Sequence, residues 1–276
     1  MFSGRLADIG GMLMLPLVVP FTGRKDRTKM ASKVPPPEHH PMPGKHTGFD
    51  TSLDALYRRL LNEGTLAVRQ VEQAIEAFKA IDREAAARVR KGDDEVDAEE
   101  LRIEEDALRL MATHQPVARD LRRLMAMLKI NTEFERIADH ASGLCKAVLY
   151  LDREGEIPES VTWQPSLLEM ADRVLPRAHE ALRALQRMDA GAAIALIKGD
   201  ETLDALAKKA FEEIEEDDEN GRISPRAAML AFRASRELER ISDLLGTVCE
   251  DIIYMDTGRV VRHGGLANGL GGVGGL

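Results

Sequence analysis

The stretch Thr132–Leu151, "TEFERIADHASGLCKAVLYL", returns with variations at Arg236–Met255 as "RELERISDLLGTVCEDIIYM". Both carry Glu-Arg-Ile-x-Asp followed by a cysteine and a tyrosine at the same distances, at an offset of 104 residues. Upstream, "DREAAARVRKGDDEVD" from Asp82 is matched by "DAGAAIALIKGDETLD" from Asp189 at an offset of 107. Two blocks in the same order at nearly the same offset predict an internal duplication of a unit of about 100 residues.

Apolar residues at three- and four-residue spacings predict three helices in each copy. The predicted helices are 50–80, 82–113 and 116–151 in the first copy, and 165–188, 190–219 and 225–257 in the second. Pro116 is placed in the first turn of its helix, Ser224 is a predicted N-cap, and Asn220-Gly221 is a predicted stop. Pro176 is expected to kink or break the helix that contains it.

The composition favours helix over sheet, because only 4% of residues are aromatic and no run of alternating β-branched residues occurs. We therefore predict an all-α fold, a tandem repeat of two pseudo-symmetric three-helix bundles packed together. The predicted parts are a disordered N-terminal extension at 1–45, a first unit at 46–152, a second unit at 162–258 and a flexible Gly-rich tail at 264–276.

The first 45 residues contain the apolar segment Ile9–Phe21, of about 13 residues against the ~20 that a membrane-spanning helix needs. No small-x-small cleavage site follows it, so a signal peptide is not favoured, and Met30 and Met42 are alternative starts. A net charge of −9 argues against nucleic acid as the main partner. The two cysteines, Cys145 and Cys249, are read as small core residues and favour a reducing compartment.

Four pairs of acids, each four residues apart, fall at equivalent positions of the two copies. Side chains at this spacing share one face of a helix, and all-oxygen ligand sets suit Mg²⁺, Mn²⁺, Ca²⁺ or oxidised iron. In the first copy Glu100 and Glu104 extend the acidic row, whereas the second has Ala207 and Phe211 there, so we expect two unequal sites. The pairs are Asp93 with Asp97, Asp200 with Asp204, Glu135 with Asp139, and Glu239 with Asp243.

The alternative for these acids is an ordinary solvated face. Acids make up 47 of the 276 residues, so chance gives roughly eight such pairs, and the pairs acquire meaning only from their repetition. Arg136 and Arg240 are interpreted as salt-bridge partners of neighbouring carboxylates, and His140 as a structural residue on the surface, since Leu244 replaces it in the second copy. No Gly-rich phosphate loop, nucleophile elbow or Cys/His arrangement is present, which favours a binding or regulatory protein over an enzyme.

The segment Ala112–Ala141, "ATHQPVARDLRRLMAMLKINTEFERIADHA", resembles the signature of the PhoU family of phosphate-transport accessory regulators. The tandem three-helix units, the (Glu/Asp)-x-x-x-Asp motifs, "HTGFD" at His46 and the closing "IYMDTGRVVRH" from Ile253 are also similar to this family. The resemblance covers about 46–263. Members of the family often have Asp-His-Ala after Glu-Arg-Ile-x. The second copy departs from this pattern, with Asp-Leu-Leu from Asp243.

The resemblance implies a cytoplasmic, often dimeric protein that represses phosphate uptake and phosphate-starvation signalling. Its implied partners are the ATPase subunit of the phosphate transporter and a membrane-bound phosphate-sensing histidine kinase, with membrane contact only through them. The family binds metal through its acidic motifs, which implies divalent or trivalent ions such as iron, manganese, magnesium or zinc. Carried over to this chain, one site would involve Asp93, Asp97, Glu135 and Asp139, with Glu100 beside them, and the other Asp200, Asp204, Glu239 and Asp243.

Two functions from other classes remain open at this point. A metal-dependent phosphoester hydrolase would use the acidic clusters to activate water. A helical structural scaffold would carry the same acids only as solvated faces.

Overall fold

The structure is a computed structural model that describes residues 48–151, 162–199 and 201–261. The predictions for the N-terminal extension, the connector between the copies and the Gly-rich tail lie outside these residues. From His46 onward the chain forms one compact unit, so both copies of the duplicated sequence belong to the same body.

The described residues form eight α-helices and no strand. In chain order the helices are α1 (Gly48–Ala80), α2 (Arg83–Lys91), α3 (Asp93–His114), α4 (Ala118–Leu151), α5 (Pro165–Arg187), α6 (Ala190–Lys198), α7 (Glu201–Glu219) and α8 (Pro225–Thr257). The first four belong to the first repeat and the last four to the second, which confirms the all-α tandem architecture. None of these helices is long and apolar enough to cross a membrane.

The middle helix of each repeat is divided, where the sequence predicts one continuous helix. Gly92 separates α2 from α3, and Gly199 caps α6 ahead of α7. Glycine costs a helix interior about 1 kcal/mol relative to alanine, so the Lys-Gly-Asp of both copies is a natural point of interruption. Each three-helix unit therefore consists of two long helices and a divided middle one.

Equivalent caps begin the middle helix of both repeats. The Asp82 carboxylate accepts a hydrogen bond from Ala85 N at 2.9 Å, and the Asp189 carboxylate accepts one from Ala192 N at 2.9 Å. These contacts satisfy backbone donors that have no partner within the helix. The shared cap confirms that the two repeats start this element in the same way.

The predicted N-cap at Ser224 is confirmed, because its Oγ accepts from the backbone N–H of the N3 residue of α8 at 3.2 Å. The predicted stop holds as well, because α7 ends one residue before Asn220 and Gly221 has φ of +67°. The prediction for Pro116 was wrong, and the break that was one of two outcomes predicted for Pro176 does not occur. Pro116 precedes α4, since the left-handed Gln115 turns the chain after α3, and α5 continues through Pro176 without a break.

The core is organised around α4 and α8, which make the most extensive contact between helices. Cys145 and Cys249 are buried at matching places on these two helices, as predicted for core residues. His140 of α4 lies 2.7 Å from a carboxylate oxygen of Glu237 on α8, a polar contact between the repeats. A second link runs from Trp163, whose indole N–H donates to the Phe78 carbonyl at 2.7 Å.

Candidate metal centre in the first repeat

A buried carboxylate in α1 is the least expected feature of the first repeat. The Glu63 side chain is 0% exposed, and neither of its carboxyl oxygens has a hydrogen-bond partner among the described residues. A buried polar group without a partner is destabilising by about 1–3 kcal/mol, and more when it is charged. Native proteins rarely keep such a group without a use for it.

The surroundings of Glu63 make its charged form still less favourable. The pKa of Glu63 is raised from its ordinary value of 4.5 to about 9, first by burial and then by the neighbouring carboxylates of Glu100, Glu99 and Glu135. These neighbours come from α3 and α4, so three helices of the first repeat direct acids toward one place. A proton on Glu63 or a bound cation would relieve the repulsion among these carboxylates.

Glu100 connects this buried group to the acids that the sequence predicts as ligands. Burial raises the pKa of Glu100, and the carboxylates of Glu104, Asp97 and Asp139 add to the rise. Asp97 and Asp139 are exposed, whereas Glu100 and Glu135 are partly buried. The predicted first-repeat ligands therefore form a row of negative charge from the surface to Glu63, and the side chain of Asp93 lies outside the described set.

Two neighbouring residues explain how Glu63 comes so close to α3 and α4. Asn131 of α4 is also fully buried, and its amide donates to the Glu100 carbonyl at 3.3 Å, which holds α3 beside α4. Its own side-chain oxygen has no hydrogen-bond partner in the part of the chain described. Gly64 allows α1 to approach, because a methyl group there would lie 2.7 Å from ring carbons of Phe134.

The donor chemistry of this cluster fits a hard cation. Carboxylates alone supply it, and one of them is buried without a partner, which is where a cation would compensate charge most effectively. Yet no group of three or more His, Cys, Asp or Glu side chains that could hold a metal ion occurs in the described ranges. A coordination shell therefore requires the outer carboxylates to turn inward toward Glu63.

The corresponding acids of the second repeat are placed differently. Glu239 pairs with Arg236 at 2.5 Å, and Asp243 pairs with Arg240 at 3.6 Å. In the first repeat Thr132 replaces the first of these arginines. The second arginine has an equivalent in Arg136, but this side chain pairs with Glu133 at 3.0 Å instead. Arg136 and Arg240 are thus salt-bridge residues, as the sequence indicates.

The interior of the second repeat is apolar where the first is acidic. At the same offset that joins Asp82 to Asp189, Glu63 corresponds to Met170, which is 0% exposed. Asn131 corresponds to the buried Ser235, whose Oγ lies 3.8 Å from the Met170 sulfur. Asp204 is exposed, and its predicted partner Asp200 lies outside the described residues. Methionine thus holds the position of Glu63 in the described part of the second repeat.

A cavity of about 540 Å³ lies between α5, α6 and the start of α7, away from the acidic cluster. Three of the four arginines that line it have partners within the fold: Arg173 pairs with Glu169 at 2.7 Å, Arg177 donates to the Leu196 carbonyl at 3.1 Å, and Arg183 pairs with Glu180 at 3.9 Å. Acids alternate with these arginines along the same wall. The cavity therefore offers no concentration of one charge comparable to the cluster around Glu63.

Glu63 is the functional candidate that the sequence-based reasoning missed. The apolar spacing of α1 runs from Leu56 to Leu60 and resumes at Val68, so position 63 falls within the buried stripe. A glutamate in that register, followed by a helix-weakening glycine, is the signal that indicates it. The motif-based prediction concentrated on pairs four residues apart and therefore left this single acid aside.

Comparison with known proteins agrees with this architecture and identifies relatives of the chain. The PhoU domain model matches residues 60–148 and 167–252, once in each repeat. The "Phosphate-specific transport system accessory protein PhoU homolog" of Pseudomonas putida is 32% identical over 218 residues, covering 79% of this chain and 84% of that protein. Its counterpart in Escherichia coli is 30% identical, covering 79% of this chain and 88% of that one.

Solved structures agree with the sequence matches. The crystal structure of PhoU from Pseudomonas aeruginosa aligns with a TM-score of 0.70 at 32% identity, covering 76% of this chain and all of that one. The phosphate transport system regulatory protein PhoU from Streptococcus pneumoniae aligns with a TM-score of 0.70 at 26% identity, covering 78% of this chain and 100% of that chain. Two matched repeats, relatives at this level of identity and the shared helical fold lead to one conclusion: the chain belongs to the PhoU family.

Proposed function

We propose that this chain is a cytoplasmic regulator of phosphate uptake that represses the phosphate transporter and phosphate-starvation signalling without catalytic turnover. The observation that carries the proposal is the pair of PhoU matches, one in each repeat of a single compact body. Relatives that align over most of their length are named as accessory proteins of the phosphate-specific transport system. The partners follow from the family resemblance: the transporter ATPase subunit, the phosphate-sensing histidine kinase and a second copy of the chain.

Deletion of the gene tests this role directly. Phosphate uptake and alkaline phosphatase activity are measured in phosphate-rich medium, and both are expected to rise when a repressor is lost. Re-expression of the intact chain should restore low levels. Unchanged uptake and unchanged phosphatase in the deletion strain would contradict the proposed function.

We also propose that the regulator binds a hard divalent or trivalent cation in its first repeat. Asp97, Glu100, Glu135 and Asp139 would hold the ion, and Asp93 extends the same acidic row in the sequence. The support is the convergence of carboxylates from separate helices, which adds to burial in raising the pKa values of Glu63 and Glu100. The bound ion would neutralise this charge and join the helices. The second set, Asp204, Glu239 and Asp243 with Asp200, would hold metal more weakly, because Ala207 and Phe211 stand where the first repeat has Glu100 and Glu104.

An assay on model phosphoesters separates this adaptor from a metal-dependent hydrolase. Purified protein loaded with Mn²⁺ is incubated with p-nitrophenyl phosphate and with bis-p-nitrophenyl phosphate. We expect no sustained release of nitrophenol above the rate in buffer with Mn²⁺ alone. Turnover that disappears in a Glu135→Gln, Asp139→Asn variant would contradict the adaptor and support the hydrolase.

A further inference from the structure

Glu63 does not stabilise the fold by any contact that the structure shows, because it is fully buried without a hydrogen-bond partner in the described part of the chain. It occupies a core position of α1, with Leu60 one turn before it and Ala67 one turn after it, both fully buried. Its two oxygens find no donor among the described residues. A leucine or methionine there would fill the same space without a desolvated polar group.

The charged neighbours of Glu63 do not compensate it. Arg59, one turn earlier on the same helix, lies 3.5 Å from Glu99 and 3.6 Å from Asp106, so its charge is directed to those acids. Glu100 and Glu135 add further negative charge on the other side. An additional positive charge at this place would therefore meet carboxylates from three helices at once.

The second repeat shows that the fold itself does not need an acid here. Buried positions of α1 and α5 coincide at the offset of 107, so the two helices present the same face to the core. Met170 takes the position of Glu63 in that face and contacts Ser235. The buried pairs are Leu60 with Leu167, Ala67 with Val174, Val71 with Ala178, Ala74 with Ala181 and Phe78 with Leu185.

We infer that Glu63 is the inner ligand of a hard cation held in the first repeat between α1, α3 and α4. The inference rests on the proposed metal binding and extends it, because it adds a residue outside the acidic pairs and a third helix to the site. The ion takes the Glu63 carboxylate on its buried side and carboxylates of the outer row, beginning with Glu100 and Glu135, on its open side. Oxygen donors alone select Mn²⁺, Mg²⁺ or Fe³⁺ over soft metals. Met170 removes the inner ligand from the second repeat, where binding is weaker.

The test uses the full chain with Mn²⁺ as the probe. Four proteins are compared: the wild type, Glu63→Gln, Glu63→Met and the control Glu76→Gln, which removes an exposed carboxylate from the same helix. Binding is measured by isothermal titration and by elemental analysis after gel filtration, and thermal melts are recorded in Mn²⁺ and in EDTA. We expect at least roughly tenfold weaker Mn²⁺ binding and a smaller Mn²⁺-induced rise in Tm for both Glu63 variants. The control should behave as the wild type.

The results distinguish failure of this inference from failure of metal binding itself. If Glu63→Gln binds Mn²⁺ as tightly as the wild type while Glu135→Gln, Asp139→Asn does not, Glu63 is not a ligand and the outer site remains. If the wild type itself takes up no Mn²⁺ or Fe³⁺, both the proposed metal binding and this inference are overturned. Glu63→Gln keeps the size and shape of the side chain, so the comparison survives even if Glu63→Met alters folding.

Discussion

The two repeats share a scaffold and differ in what they bury at its centre. Both begin the middle helix with an aspartate cap, and both interrupt that helix at a glycine. The first repeat nevertheless places a glutamate and an asparagine in its core, where the second has methionine and serine. Four substitutions carry the difference: Glu63 to Met170, Asn131 to Ser235, Glu100 to Ala207 and Glu104 to Phe211.

This difference separates the requirements of folding from those of binding. The second repeat packs with methionine and serine at these two core positions, so the glutamate and asparagine of the first are not needed for helix packing. Phe211 lies edge-on to Phe232, with ring centroids 5.7 Å apart, on the surface where the first repeat continues its acidic row. The first copy thus carries a concentration of carboxylates where the second has apolar contacts.

The largest change in the free energy of unfolding is expected when a buried glutamate, equivalent to Glu63, is placed in the second repeat. Met170→Glu puts a carboxylate into a fully buried site that has a methionine–serine contact in place of polar partners. We expect a loss of about 3–5 kcal/mol in the free energy of unfolding, the range for an uncompensated buried charge. Urea denaturation at pH 7 measures it.

Met170→Leu is the matched control, because it conserves volume and should cost less than about 1.5 kcal/mol. Equal stabilities of the two variants would mean that the second repeat accommodates a buried acid as readily as the first. The contrast between the repeats would then have no energetic basis.

Glu63→Gln, studied in EDTA, should change the free energy of unfolding by an intermediate amount that depends on pH. The pKa of Glu63 lies at about 9 in the folded chain against an ordinary 4.5, so between these values the folded state binds one more proton than the unfolded state. The free energy of unfolding of the wild type, relative to that of the variant, therefore falls as pH rises from 4.5 to about 9. Below pH 4.5 this contribution of the protonated Glu63 to stability is fully present. From pH 5 to pH 7 the variant should gain at most about 3 kcal/mol on the wild type.

The groups that face Glu63 are Glu99 and Glu100 of α3 and Glu135 of α4, while Arg59 of α1 is engaged with Glu99. They remain unchanged in the variant, so the difference between the two proteins reports on position 63. Urea titrations at pH 5, 6 and 7 measure it, with Glu76→Gln as control. A difference that stays constant or shrinks with rising pH would contradict the raised pKa.

The smallest change in the free energy of unfolding is expected when the N-cap aspartates are removed, and it should be the same in both repeats. Asp82→Ala and Asp189→Ala each remove one N-cap hydrogen bond of 2.9 Å. Each change should lower the free energy of unfolding by about 1 kcal/mol, and the two losses should agree within a few tenths. Thermal and urea denaturation of both variants measure this. A loss confined to one of them would show that the scaffolds are not equivalent.

The scaffold could be predicted from the sequence because periodicity and repetition are properties of the whole chain. Cys145 and Cys249, Ser224 and the Asn220-Gly221 stop all follow from spacing alone, and each was confirmed. The interruptions at Gly92 and Gly199 were missed because a single glycine weakens a helix without always ending it. Pro176 does not break α5, because packing of a long helix outweighs one lost hydrogen bond.

The candidate site was less accessible to prediction. The acidic pairs are visible as a pattern, but their interaction across helices depends on tertiary contacts such as the Asn131 amide on the Glu100 carbonyl. Glu63 has no second acid four residues away in its helix, so it belongs to no acidic pair. Only its position on the buried face of α1 distinguishes it from a surface acid. The unequal pairing of the α4 and α8 acids with arginines likewise depends on side-chain positions that the sequence leaves open.

Metal content at limiting Mn²⁺ tests the central claim, that the first repeat is the stronger cation site, most directly. Two double variants are compared with the wild type by elemental analysis beside a thermal melt: Glu135→Gln with Asp139→Asn, and Glu239→Gln with Asp243→Asn. The first should lose most of the bound metal and the second clearly less, with neither unfolded, because these side chains flank the core. Equal losses, or a larger loss from the second repeat, would contradict the account.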